Sequence, residues 1–277
     1  MQLSFTSVGK LTRINRIFRE DGKATMVAIN QGITMGPRDG IEDVGKIISQ
    51  LLPEHPDSFT IHRGAACQYA DLYAGKAALI LKSTNRTQFF GPDEIQLSQV
   101  EDAVALGADA ISVGLTLCDP NEQETLQMVS KIISAAEKYG MPTVAHAYPS
   151  GSLIKSEEHH SEKYVGYAVR VAKELGIDII KTYWTGDQES FARIVSYGSP
   201  CKVVISGGPK CNTLRECLSM TWSGMQAGAD GITYGRNIWQ HDCPAAVLRG
   251  LNAIIHSQAT VDEAMDIASE CAGKTLL

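Results

Sequence analysis

Eight short runs of strand-type residues recur along the 277-residue chain, each followed by a stretch that can form a helix. They are TMVAIN from Thr25, SFTIH from Ser58, AALILKS from Ala77, AISVGLT from Ala110, TVAHAY from Thr143, IIKTYW from Ile179, KVVISGG from Lys202 and GITYGR from Gly231. Most are apolar on both faces, the pattern of parallel strands covered by helices. Eight such units close into an α/β (β/α)8 TIM barrel. Three joins, ALGADAISV, ELGIDIIKT and QAGADGITY, repeat a glycine between helix and strand, which predicts left-handed helix caps there. A doubly wound open sheet is the alternative, but no GxGxxG turn follows the first strand. No low-complexity linker or block of like charge divides the chain. Residues 1–277 therefore read as a single barrel domain, with 1–24 a capping segment for the barrel floor.

Composition bounds the partners. Hydrophobic residues at 44% supply a large core, and no apolar run approaches the roughly 18 residues of a membrane span. A formal net charge of −6 argues against nucleic acid or an anionic membrane, which require a concentrated basic surface. The first residues lack an apolar stretch with a small-residue cleavage site, so the expected compartment is the cytoplasm. Seven cysteines with no CxxC pair and no zinc spacing read as reduced thiols.

In a barrel, chemistry gathers at the C-terminal ends of the strands. The sixth predicted strand carries Lys181 inside the stretch DIIKTYWTGD, pointing either into the barrel or toward the helices. Burying an ammonium is costly unless it is paired or loses its proton. An inward, deprotonated amine can attack a carbonyl to form a Schiff base, the chemistry of a class I aldolase. After the seventh and eighth strands stand Ser206, Gly207, Gly208 and then Gly235, Arg236; these two strand ends commonly build a phosphate site. Tyr148 ends the fifth strand beside Lys181, where a phenol can move the proton of an aldol cleavage. His62 ends the second strand, Lys82 lies on the third, and His146 shares a strand face with Tyr148. His62, His146 and the Glu157–His160 run carry side chains that can bind zinc, but the run reads more simply as a solvated loop, and neither metal nor cofactor is expected.

These segments resemble the archaeal-type class I fructose-bisphosphate aldolases and their relatives, 2-amino-3,7-dideoxy-D-threo-hept-6-ulosonate synthase and autoinducer-2 phosphate thiolase. The resemblance runs from about Thr25 to His256 and rests on NQGITMGP, GADAISVGL, GMPTVAHAYPSG, DIIKTYWTG, VVISGGPK and GADGITYGRNIWQ. It implies a barrel, Lys181 as the Schiff-base lysine, Tyr148 as proton donor and acceptor, and a phosphate held by Ser206, Gly207, Gly208, Gly235 and Arg236. It also implies a homo-oligomer, since family members assemble into rings, and a phosphorylated sugar as substrate.

Two departures stand out. Asn30 and Gln31 replace the family's Asp-His at the end of the first strand, and an amide can hydrogen-bond but cannot supply charge. Ser150 replaces the arginine of YPRG. Asn30 is therefore placed with the catalytic residues, and Gln31, His62, His146 and Trp184 are expected to contact substrate. The expected function is a class I aldolase acting on a phosphorylated ketose, or on dihydroxyacetone phosphate plus an aldehyde. The alternatives are a heptulosonate-type synthase or transaldol enzyme and, outside enzymes, a phosphosugar-binding pseudoenzyme.

Overall fold

The computed structural model describes residues 5–89, 93–271 and 274–275. All eight predicted strands form and close a parallel barrel: β1 (Ala24–Ala28), β2 (Ser58–Ile61), β3 (Ala78–Lys82), β4 (Ala110–Thr116), β5 (Thr143–Tyr148), β6 (Ile179–Tyr183), β7 (Lys202–Ser206) and β8 (Gly231–Tyr234). Each strand pairs with its sequence neighbours, and β8 closes on β1 through Ala24↔Gly231 to Val27↔Tyr234.

Period-two alternation divides the core into two shells. Leu79 and Leu81 of β3, Ile180 of β6 and Ile205 of β7 face the surrounding helices, in one continuous cluster with Val169, Phe191 and Leu218. Ala78 and Ile80, Ile179, and Val204 of the same strands point inward, with Met26 and Val144. The helix Phe5–Ile17 precedes β1, and Ile17 and Phe18 pack against this inner set. Apolar side chains thus fill the lower barrel, and polar ones begin one step higher.

The three glycine joins adopt left-handed backbone at Gly107, Gly176 and Gly228, with φ of 67°, 89° and 93°. Asp187 and Thr213 cap the helices Gln188–Gly198 and Leu214–Gln226 by accepting from Ser190 N and Glu216 N. Two small antiparallel hairpins lie outside the barrel. Thr84–Asn85 pairs with Ile95–Gln96 between β3 and β4, and Glu270–Cys271 pairs with Lys274–Thr275. Cys67, Cys118, Cys201, Cys211 and Cys217 are free thiols, but Cys243 is disulfide-bonded, which corrects the expectation of an all-reduced set. Among the described residues no helix is long and apolar enough to cross a membrane.

Candidate active site

A cavity of about 310 Å³ opens at the C-terminal ends of the strands. Lys181 lies at its base, inward and 6% exposed, in register with His146 of β5 and Val204 of β7. Ile179 and Lys181 share the inner face because they are two residues apart; the apolar lower barrel therefore delivers the amine into the cavity. Burial pushes its pKa down to about 7, and the positive charges of Lys82 and Arg236 act in the same direction. Much of the amine is therefore free near neutral pH and able to attack a carbonyl.

Tyr148 and Tyr183 line the same cavity. The Tyr148 hydroxyl is 2.8 Å from Ser206 Oγ, and its ring stacks on Tyr183 with centroids 4.3 Å apart. Burial, followed by the neighbouring Tyr183, raises the Tyr148 pKa strongly, outweighing the Ser206 hydrogen bond and Arg236. The resting group is thus a neutral phenol that can donate a proton. His146 is held far below the usual imidazole range, first by burial and then by Lys181, Lys82 and His62, so it is neutral at pH 7.

The loops after β7 and β8 meet at the rim. Arg236 Nη2 donates to the Gly208 carbonyl at 2.6 Å, and Asn237 Nδ2 donates to the Gly207 carbonyl at 2.8 Å. Gly208 has φ of 58°, a conformation that favours glycine. A Cβ on Gly235 would come 2.6 Å from Gln31 Nε2, so this glycine lets the β1 and β8 ends close together. Ser206, Gly207, Gly208, Gly235 and Arg236 all line the cavity, as do Asn30, Gln31 and Ser150. The side-chain oxygens Asn30 Oδ1 and Gln31 Oε1 are buried without a partner, which leaves two acceptors for a ligand's donors.

Two expected contacts fall elsewhere. Trp184 follows Tyr183 and so turns outward, where its ring centroid lies 5.1 Å from that of Phe191 in the helix layer. His62 stands behind the cavity wall. Its Nδ1–H donates to the Lys82 carbonyl at 3.1 Å and its Nε2 accepts from Asn85 Nδ2 at 2.9 Å, while burial and Lys82 lower its pKa to about 4.

Glu94, Arg86, Tyr183 and His160 are among the lining residues that had no place in the sequence expectations for the cavity. Tyr183 was detectable, because it lies two residues beyond Lys181 on the same strand face. His160, read as solvated, instead stacks on Tyr183 at 4.5 Å. Glu94 and Arg86 lie in the excursion between β3 and β4, whose path no strand or helix period predicts. Among the described residues, no group of three or more His, Cys, Asp or Glu is arranged to hold a metal ion.

The family model of the DeoC/LacD family aldolases matches residues 24–241. The 2-amino-3,7-dideoxy-D-threo-hept-6-ulosonate synthase of Halobacterium salinarum is 32% identical over 263 residues, covering 94% of this chain and 96% of that protein. The 3-hydroxy-5-phosphonooxypentane-2,4-dione thiolase of Escherichia coli K12 is 30% identical over 262 residues, covering 94% of this chain and 86% of its own. A solved archaeal fructose-1,6-bisphosphate aldolase, with its catalytic lysine covalently bound to the carbinolamine intermediate of the substrate, superposes with a TM-score of 0.82. It is 30% identical, covering 89% of this chain and 99% of its own. The barrel, the sequence match along most of its length and these relatives together place the chain in the DeoC/LacD aldolase family, among the class I enzymes that work through a Schiff base.

Proposed function

We propose that Lys181 is the Schiff-base nucleophile and that the substrate is a phosphorylated ketose or, in the condensing direction, dihydroxyacetone phosphate with an aldehyde. The observation that carries this is the one lysine lining the cavity among the described residues, 6% exposed at its base, whose pKa burial lowers to about 7. The Lys181 nitrogen adds to the ketone and water leaves, giving an iminium that draws electrons from the adjacent carbon. Tyr148 moves the proton at that carbon. Its phenol is neutral at rest, so it donates directly; it accepts once the iminium charge and Ser206 favour the phenolate.

The phosphate would sit against the backbone of Ser206, Gly207, Gly208 and Gly235, with Arg236 supplying charge. Named relatives that act on phosphorylated or related sugar-like compounds support this class of substrate. The setting assumed is a cytoplasmic homo-oligomer. A heptulosonate-type condensation is the second reading, favoured by the Halobacterium relative and by Asn30 and Gln31, which offer uncharged acceptors at the end of β1.

Incubation with dihydroxyacetone phosphate and borohydride tests the assignment. A reduced adduct should form on the wild type and be lost in Lys181→Met. Absence of any adduct on the wild type would favour a phosphosugar-binding protein without the covalent step.

A further inference from the structure

Between β3 and β4 lies a built polar cluster that the reaction as described leaves unused. Lys82, at the inward end of β3, is 1% exposed; burial lowers its pKa, opposed by Glu94. Its Nζ lies 3.2 Å from Thr84 Oγ1 and 3.5 Å from Glu94 Oε2. Thr84 Oγ1 accepts from Gly114 N at 2.7 Å and donates to the same Glu94 oxygen. Room for the carboxylate comes from Gly114 on β4, where a Cβ would sit 1.9 Å from Glu94 Cδ. The hairpin register Thr84↔Gln96 and Asn85↔Ile95 fixes the backbone next to it.

Glu94 is the only carboxylate lining the cavity among the described residues. Both of its contacts fall on Oε2, which leaves Oε1 free to accept from a ligand. We propose that Glu94 is the base that takes the hydroxyl proton in carbon–carbon bond cleavage, with Lys82 and Thr84 as positioning residues. This rests on the Schiff-base reading above.

The other polar groups suit the task less well. Asn30 cannot accept a proton. His146 sits opposite Lys181, so protonating it would place an imidazolium beside an iminium. A carboxylate becomes neutral on protonation and meets no such repulsion. In the cleavage step, the proton of the hydroxyl two carbons from the iminium carbon passes to Glu94 Oε1. The carbon–oxygen double bond forms, the carbon–carbon bond breaks, and its electron pair forms the enamine on the Lys181 nitrogen. The aldehyde leaves, and Tyr148 protonates the enamine carbon. Glu94 returns its proton to water, and in the condensing direction it supplies the proton to the new alkoxide.

The test separates two proton transfers. With dihydroxyacetone phosphate alone in deuterated water, borohydride trapping reports the Schiff base and loss of the carbon-bound proton reports enamine formation. Condensation of the same ketone with the best-used member of an aldehyde panel reports the step assigned to Glu94. In Glu94→Gln, trapping and exchange should stay within about threefold of wild type while condensation falls by roughly a hundredfold or more. If this variant does not fold because Lys82 loses its counter-charge, Lys82→Met/Glu94→Gln removes both charges and takes its place. Condensation near the wild-type rate in either carboxylate-free variant would overturn the role of Glu94, as would exchange and condensation falling together. A wild type that neither traps nor exchanges the ketone would instead refute the Schiff-base reading itself.

Discussion

The hydrogen bond between the Tyr148 and Ser206 hydroxyls, 2.8 Å long, ties the end of β5 to the end of β7 across β6, the strand that presents Lys181. It holds the phenol in the cavity that Lys181 also lines and fixes the first residue of the loop expected to hold phosphate. Tyr148→Phe should keep borohydride trapping while slowing exchange of the ketone's carbon-bound proton by about a hundredfold or more. Ser206→Ala removes one bond to the phenol and should slow exchange by about tenfold or less. Exchange measured by NMR in deuterated water distinguishes the two; equal rates in Tyr148→Phe and wild type would remove Tyr148 from the reaction.

Lys181 is expected to cost the fold stability. Its pKa falls from 10.5 unfolded to about 7 folded, so the unfolded chain binds the extra proton between those values. Stability therefore rises with pH across that window, and below about pH 7 the full penalty is present. Lys181→Met should raise the melting temperature by at least about 3 °C at pH 6, an advantage that shrinks toward pH 10. Thermal melts across this range check the sign. Unchanged melting at pH 6 would mean that the amine is better solvated than its position implies.

Much of this site was legible in the sequence because strand periodicity fixes both register and facing. Ile179, Lys181 and Tyr183 alternate with Ile180 and Thr182, so one inward residue predicts the next. The same rule sends Trp184 outward, which is why it packs on Phe191 and does not line the cavity. Glu94 was hidden for a different reason. It lies in a loop with no period, and its position depends on Gly114 and Lys82, which are distant in sequence. His160 was misread because a loop histidine gives no sign of the ring it will stack on. The disulfide at Cys243 likewise left no spacing signature.

Arg236 has two contributions to separate. Its guanidinium holds the Gly208 carbonyl, and it faces the cavity where a phosphate would lie. A charge-assisted contact is worth about 1.5 to 3 kcal/mol, so Arg236→Ala should weaken a phosphorylated ketone by about tenfold or more. Binding of the unphosphorylated analogue should change much less. Equal losses for both ligands, measured by titration calorimetry, would leave Arg236 with only the loop contact.

Asn30 carries a buried acceptor without a partner at the edge of the same cavity. Asn30→Asp adds a negative charge, which favours the ammonium form of Lys181 and raises its pKa. The alkaline-side onset of adduct formation should move upward, with the fold unchanged by circular dichroism. Coincident pH profiles for the two proteins would show that position 30 does not act on the amine electrostatically.

The most direct measurement is the rate of borohydride-trapped adduct formation with dihydroxyacetone phosphate from pH 5 to 10, with the modified peptide located by mass spectrometry. The adduct should map to Lys181, and the rate should reach half its plateau near pH 7, where burial sets the amine's pKa. An adduct on Lys82, or an onset near the ordinary lysine value of 10.5, would contradict Lys181 as the nucleophile.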